Sequence, residues 1–258
     1  IEDLLNSSLR ITSDQVFKED PLRLLRGARL TAQYDLNIDD FTETQIKKSS
    51  FLISKVSSER IRDEFLKLLS LQKSVRNLTK MDKLGILTNI IPELEASRET
   101  LQTPNHYWKV LEHMVQTVGQ AENIVAGKKI NAGPYPNFTP NYIPITDAHQ
   151  IYFDQNYADS HSRFTFLKLA CLLHDVGKPK TKTVDPDGKT RFLGHDKLGG
   201  EIARSILKRL KFSNSGIDLV ANQIANHLRP SQISNQGQDP TPKAIRKYYN
   251  DTSGASID

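Results

Sequence analysis

The chain has 258 residues, with 35 Lys and Arg against 30 Asp and Glu, a formal net charge of +5, and hydrophobic residues at 37%. That length can bury one large core or two ordinary ones, and charged residues at 25% match a folded globular protein, not a disordered chain. No apolar run approaches a membrane span, because even the stretch from Phe164 to Leu173 is broken by Lys168. No signal-peptide pattern opens the chain, and the single cysteine, Cys171, excludes an internal disulfide, which places the protein in a reducing, cytoplasmic compartment. Ile1 is not a natural start and residues 252–258 stop without a closing element, so the sequence reads as a piece of a longer protein.

The periodicity is helical almost throughout. Asp20-Pro21 reads as a helix start, Asp20 as N-cap and Pro21 in the first turn, followed by Leu22, Leu25 and Arg29 on one face and Leu24 and Ala28 beside them. Ile61, Phe65 and Leu68 repeat at helical spacing after Ser57-Ser58, and Val75, Leu78 and Leu84 do so before Gly85, which fits a helix C-terminus. A boundary near residues 96–104 divides the chain into 1–100 and 101–258. Val110, Met114, Val118 and Ala121 mark a long helix that carries His113. Residues from Gly127 to about Ser160, with Pro134, Pro136, Pro140 and Pro144, read as a functional lid or a mobile insertion. Phe166 to His174 is a strongly apolar helix, and Gly177 is suited to ending it. Thr183 to Leu193 reads as a short hairpin turning at Asp187-Gly188. Ile202, Ile206 and Leu210 mark another helix, and Ile217, Val220, Ile224 and His227 a last one, stopped by Pro230. The fold class is therefore all-α with one small hairpin.

Charge is uneven along this helical chain. Residues 1–125 hold 17 basic and 18 acidic side chains, whereas residues 126–258 hold 18 and 12. Lys178, Lys180, Lys182, Lys189 and Arg191 crowd one short stretch, a composition that attracts phosphate-bearing partners.

That stretch follows His174-Asp175-Val176-Gly177-Lys178. Adjacent helical residues point about 100° apart, so His174 and Asp175 can share a metal only near a helix end. Imidazole with carboxylate suits zinc, iron, manganese or nickel without choosing among them. His113, His195 and His227 each stand on or beside a predicted helix, giving the order His…His-Asp…His…His. This order resembles the HD phosphohydrolase superfamily, an all-helical fold holding one or two divalent metals. The resemblance implies His113, His174 and Asp175 as the basic metal site, with His195 and His227 added in two-metal members. It also implies a later closing Asp. Asp218 precedes His227, and Asp239, Asp251 and Asp258 lack the usual helical, apolar surround, so the chain is expected to end just before that residue. His174, Asp175 and Lys178 would be catalytic, in metal-assisted hydrolysis of a phosphate ester, with Lys178 neutralising the substrate phosphate.

The second motif is Glu19-Asp20-Pro21-Leu22-Arg23, with Arg26 one turn on. Asp20 and Arg23 share a helix face, and a carboxylate beside a guanidinium can imitate the Watson–Crick edge of a base. This motif resembles the nucleotide-selecting helix of class II tRNA nucleotidyltransferases and poly(A) polymerases, the CCA-adding enzymes. The segment from Ser58 to Glu64 resembles that family's next helical motif, in which Glu59, Arg60 and Arg62 would brace the neck. The resemblance implies that Glu19, Asp20, Arg23 and Arg26 bind CTP or ATP, that the partner is tRNA or another RNA 3′ end, and that residues 1–100 are neck and body and 101–258 an HD domain truncated at its C-terminus. The family's catalytic head, with a Gly-Ser motif and alternating aspartates for Mg2+, has no counterpart here; Asp39-Asp40 are adjacent. The fragment is thus expected to retain only HD phosphohydrolase activity. The alternatives are a stand-alone HD phosphohydrolase acting on phosphomonoesters or 2′,3′-cyclic nucleotides, and a non-enzymatic RNA-binding helical module.

Overall fold

The computed structural model describes residues 2–103, 107–128, 145–234, 239–252 and 255. It is 68% helical, and the fold is all-α. The longer helices, in chain order, are α1 (Leu22–Tyr34), α2 (Asp40–Ser49), α3 (Ser58–Ser70), α4 (Ser74–Lys83), α5 (Val110–Val125), α6 (Asp147–Asp154), α7 (Arg163–Leu173), α8 (His195–Arg209), α9 (Asn214–Asn226) and α10 (Pro242–Thr252). Among the described residues the strands form three two-stranded pairs: Ser8–Leu9 with Asn37–Ile38 in parallel, Asn156–Ala158 with His161–Ser162, and the expected hairpin, Thr183–Val184 with Thr190–Arg191. Gly188 takes φ +81° in the turn of that hairpin, where its lack of Cβ costs no strain.

The sequence signals explain most helix ends. The Asp20 backbone is extended and its carboxylate accepts the Leu22 N–H at 3.3 Å, both features of an N-cap; Pro21 follows with helical φ and ψ, α1 runs from Leu22, and Asp20 also closes the short helix Val16–Glu19. Gly85 has φ +72° just beyond α4, as its place after the apolar repeat suggested. Pro230 does not simply stop the chain. It sits in the first turn of a further short helix, Arg229–Ser234, where its missing N–H is no loss. Within the expected irregular segment, Asp147–Asp154 is helical, started by the Thr146 side chain; Pro134, Pro136, Pro140 and Pro144 lie outside the described residues.

Packing runs through the molecule as a chain of helix pairs. α1 packs on α3, α3 on α7, α7 on α5 and α9, and α9 on α8. Gly200 lets α8 approach α9 closely, since a Cβ there would meet the Ala221 carbonyl and the Ala225 methyl at 3.0 Å each. One contiguous apolar core extends from Phe17 to Ala255, with Phe65 and Leu69 before residue 100 and Phe166 and Leu172 after it.

Lys168, which interrupts the apolar run of α7, crosses this core. It is 1% exposed, and its Nζ donates to the carbonyls of Leu69 (3.0 Å) and Leu71 (2.8 Å) and to Glu122 Oε1 (2.7 Å). Glu122, on α5, also accepts from the backbone N–H and hydroxyl of Ser74, the first residue of α4. One ammonium and one carboxylate thus fix the end of α3, the start of α4, and α5 against α7. Breaking one partner of such a pair leaves an uncompensated buried charge. Lys168→Met is expected to lower the unfolding free energy by about 3 kcal/mol in urea denaturation. Adding Glu122→Leu should recover only part of it, because Ser74 then loses its acceptor.

Candidate metal centre

Four helix ends deliver the imidazoles. His113 lies in the first turn of α5, His174 directly follows α7, His195 opens α8, and His227 directly follows α9. Between them, in the turn after α7, stands Asp175, 1% exposed. Its Oδ2 is 3.1 Å from His174 Nε2 and 3.4 Å from His113 Nε2; its Oδ1 is 3.2 Å from His195 Nε2 and 3.9 Å from His227 Nε2. Two groups share the carboxylate: His113, His174 and Asp175, and Asp175, His195 and His227. The five residues singled out as metal ligands in the sequence are therefore brought to one point.

The protonation of three of the rings follows from their other nitrogen. His174 Nδ1 is 2.8 Å from the Cys171 carbonyl, His195 Nδ1 2.6 Å from Phe192 O, and His227 Nδ1 2.7 Å from Ile224 O. A carbonyl can only accept, so each Nδ1 carries a proton, and each ring in its neutral form turns an Nε2 lone pair toward Asp175. Both carboxylate oxygens and His195 Nε2 are buried without a hydrogen bond. Lone pairs facing a carboxylate repel unless a cation lies between them. The donor set thus fits one or two divalent cations of the imidazole- and carboxylate-binding kind. The C-terminal ends of α7 and α9 add negative dipole character at the same place.

Charge coupling inside the cluster is strong. Burial pushes the Asp175 carboxyl up, but the charge of a protonated His174 in the metal-free chain, and then that of Lys178, outweighs it and holds the group well below the usual carboxylate range. Burial also opposes protonation of His174, yet the neighbouring Asp175 raises it overall. His227 is pushed down to about 4, first by burial and then by the charge of His174.

Lys178 has a different place from the one expected. It is buried, with Nζ 2.7 Å from Asp175 Oδ2, off a hydrogen-bonding direction, and 2.6 Å from Gln102 Oε1. It faces Asp175, not an open phosphate position. Lys180, Lys182 and Lys189 are exposed, and Arg191 pairs with Asp185. Gly177 also differs: its φ is −78°, so it is no left-handed helix stop. Its value lies in close approach, because a Cβ would fall 2.4 Å from the His195 carbonyl and 2.8 Å from Gly199 N. Gly177 lets the His174-Asp175 turn and the start of α8 touch.

Asp251 does lie on a helix, α10, but its carboxylate pairs with Arg229 at 2.9 Å and Lys247 at 3.0 Å, outside the cluster. Asp239 is exposed, Asp218 pairs with Arg204, and Asp258 lies outside the described residues. Beside the histidines is a cavity of about 430 Å3, with His113, His174 and His227 in its wall and Tyr248, Thr252 and Ala255 closing it from the C-terminal side. No signal in the sequence marked this cavity.

At the other motif, Asp20 and Arg23 are one turn apart, yet each has another partner. Asp20 pairs with Arg60 at 3.1 Å and Arg23 with Glu19 at 3.4 Å. Arg26 lies 4.0 Å from Glu64, which binds Arg29 more closely at 2.7 Å. Arg62 pairs with Asp63 at 2.8 Å and lies 3.8 Å from Asp159, while Glu59 makes no ion pair among the described residues.

Residues 35–98 match the family described as the probable RNA and SrmB-binding site of polymerase A, and residues 157–252 match the HD domain. The A-adding tRNA nucleotidyltransferase of Deinococcus radiodurans is 28% identical over 88% of this chain and 46% of its own length. The CC-adding tRNA nucleotidyltransferase of Thermus thermophilus is 27% identical over 96% and 49%. A bifunctional uridylyltransferase/uridylyl-removing enzyme of Caulobacter vibrioides is 27% identical over 93% and 23%. The chain spans about half the length of the two tRNA nucleotidyltransferases. A structure of a CCA-adding enzyme with ATP shares the fold, with a TM-score of 0.54 at 16% identity over 99% of this chain and 47% of that one. A tRNA-processing enzyme complex shares it with 0.57 at 15% identity over 97% and 53%. These matches define first a helical chain with an HD domain. More narrowly, the chain is similar over most of its length to tRNA nucleotidyltransferases. No helix among the described residues is long and apolar enough to cross a membrane.

The depressed His227 gives the metal-free chain a pH signature. The unfolded chain takes a proton at the ordinary value of 6.5 while the folded one waits until about 4, so His227 costs stability as pH falls through that window. The raised His174 acts in the opposite sense, retaining its proton as pH rises past 6.5. His227→Gln is expected to flatten the acid-side slope of stability between about pH 6.5 and 4 in urea titrations of metal-free protein.

Proposed function

We propose that this chain is the neck, body and HD portion of a nucleotidyltransferase that adds nucleotides to tRNA or another RNA 3′ end, and that its HD centre hydrolyses phosphate esters. The matched regions, in the order RNA-binding region then HD domain, support the first part. The second part rests on one observation, the convergence of four Nε2 atoms on the buried Asp175 carboxylate, whose oxygens accept no hydrogen bond. The division at about residue 100 and the cytoplasmic setting belong to the same proposal.

His113, His174 and Asp175 would hold one divalent cation, and Asp175, His195 and His227 a second. Such cations supply Lewis-acid polarisation of a phosphate oxygen and a more acidic water. The chain's own residues do the rest. The Cys171, Phe192 and Ile224 carbonyls fix the tautomers, so His174, His195 and His227 offer lone pairs without rotating. Lys178, steadied by Gln102, keeps Asp175 ionised and offsets its charge. Leu172, Leu173 and Val176, which flank His174-Asp175 in sequence, are buried in the apolar core.

In the neck, Glu19, Asp20, Arg23 and Arg26 would bind CTP or ATP. Asp20 and Arg23 offer an acceptor and a donor fork to a base edge once Arg60 and Glu19 are displaced. The Mg2+ carboxylates of the transfer reaction would belong to a head outside these residues.

A second reading is a hydrolase in its own right, acting on phosphomonoesters or 2′,3′-cyclic nucleotides. The relative named for both uridylyl transfer and uridylyl removal favours it, because that name joins a removal activity to a transferase.

In the full-length protein, Asp20→Ala is expected to cut incorporation of CMP and AMP into tRNA lacking its 3′ end by at least about tenfold, the scale of one lost bidentate base contact. Unchanged incorporation by gel assay would remove the neck assignment. Asp175→Asn should abolish stoichiometric metal in elemental analysis and hydrolysis of p-nitrophenyl phosphate, while leaving nucleotide addition intact. Hydrolysis without nucleotide addition by the wild type would favour the second reading.

A further inference from the structure

A second cavity lies away from the metal centre, and none of the five clustered residues lines it. Its volume is about 750 Å3, toward the upper end of the roughly 300–1,000 Å3 of small-molecule sites, with room for a short stretch of peptide. α4, the short helix Glu95–Arg98 and α5 contribute its walls, together with Tyr107 and Trp108 just before α5. The two rings meet edge to face, with centroids 5.8 Å apart and planes at 87°. Tyr107 is 68% exposed, and Trp108 is only partly buried. The Trp108 backbone is held in place, because its carbonyl accepts from Gln102 Nε2 at 3.0 Å. Asp82, Glu99 and Glu112 line the cavity against Arg98 and Lys109. Both cations are already matched. Arg98 donates to the two Asp82 oxygens at 2.7 and 2.8 Å and to Glu95 Oε1 at 2.9 Å, and Lys109 pairs with Glu99. Glu112, exposed in the first turn of α5, makes no ion pair among the described residues, and Val115 and Gln116 follow it on the same helix face.

We propose that this cavity is the docking site for an arginine-bearing, basic segment of a partner protein. A guanidinium uses all of these features at once. It stacks on an aromatic face, where the ring quadrupole attracts it, and its planar fork donates to a carboxylate. Trp108 and Tyr107 offer the faces, and Glu112 accepts the fork. Glu99 adds a second carboxylate, because its pair with Lys109 is exposed at both ends and yields to a better-placed partner. Tyr, Trp and Arg are the residues that most often carry the binding energy of protein interfaces. The chain as a whole carries +5, so long-range charge repels a basic segment and the attraction must be local. RNA does not suit the site, since its phosphates would face Glu99 and Glu112. The proposal is independent of the phosphohydrolase reading.

Trp108 is the one tryptophan of the sequence, so its fluorescence reports on the cavity directly. The test titrates the whole chain with a capped peptide of alternating glycine and arginine. Parallel arms use the lysine and glutamate versions of that peptide and single-stranded oligoadenylate. The arginine peptide is expected to shift Trp108 emission saturably with a Kd below about 1 mM. Its affinity should fall at least about fivefold between about 0.05 and 0.5 M salt, as an exposed ion pair requires. The lysine version should bind more weakly, and the glutamate version and the RNA should leave the emission unchanged. By calorimetry, Glu112→Gln and Tyr107→Ala should each weaken binding of the arginine peptide by about tenfold, with the metal content of the loaded protein unchanged. Tyr107→Phe, which keeps the aromatic face, should bind as the wild type does. No saturable shift at millimolar peptide, or binding that survives both Glu112→Gln and Tyr107→Ala, would overturn the proposal. Equal affinity for the lysine peptide would overturn the assignment to arginine, and a stronger response to oligoadenylate would give the cavity to RNA instead.

Discussion

A carboxylate buried to 1% exposure and ringed by imidazole lone pairs is the constraint around which the second half of this chain is arranged. An ionised group in that position is several kcal/mol less stable than in water unless positive charge reaches it. Lys178 reaches one oxygen from within the chain. The geometry of the other partners suits a cradle for further positive charge, since three rings are held by backbone carbonyls so that in the neutral form each turns an Nε2 lone pair toward Asp175. The local backbone follows from this demand. Four helices end or begin within reach of one carboxylate, and Gly177 and Gly200 lack Cβ atoms that would hold α8 away.

Placing those helix ends requires their other ends to be fixed. Lys168 and Glu122 do this from inside the core. Lys168 is six residues before His174 on α7, and Glu122 is nine residues after His113 on α5. Their ion pair therefore sets the relative height of the two helices that present the first imidazole and the His-Asp pair. The same ammonium takes up the Leu69 and Leu71 carbonyls at the end of α3. The segment carrying the RNA-binding-region match and the segment carrying the HD match are thus tied through one buried cation as well as through a shared apolar core.

Much of this was legible in the sequence, and the reasons differ by residue. Helical periodicity marked α1, α3, α5, α7, α8 and α9 because each buries one apolar stripe, and the order of His113, His174-Asp175, His195 and His227 marked the cluster because few other histidines compete with it. What the sequence hides is where a polar side chain points. Lys168 reads as an interruption of an apolar run; in three dimensions it is the donor that closes two helix-end carbonyls. Lys178 belongs to a basic stretch, and nothing in its spacing separates it from exposed Lys180 and Lys182; only its position three residues after Asp175, in a tight turn, sends it inward. Gly177 reads as a stop because glycine is most often needed for its φ, whereas here the missing Cβ matters. The cavity is formed by residues from α5, α7, α9 and α10, far apart in sequence, so no local pattern could announce it.

The proposed neck motif would be a second site, prepared in another way. Asp20 and Arg23 are engaged with Arg60 and Glu19, and these could be read as structural pairs that exclude a ligand. Their exposure favours the proposed role. The Arg23, Glu19 and Arg60 side chains are 44%, 63% and 51% exposed, and pairs in that environment contribute only about 0–1 kcal/mol. Glu64 is another case: at 7% exposure it holds Arg29 at 2.7 Å and has Arg26 and Lys67 within 4.0 and 3.5 Å, and it anchors α1 to α3. The result is a graded arrangement on one helix. Arg29 is committed to the scaffold, Arg26 is at its edge, and Arg23 and Asp20 are held in orientation by partners weak enough for a base edge to replace. Presented in this way, an acceptor and a donor fork lose little entropy on binding, which is what selection of a nucleotide by hydrogen-bond pattern needs.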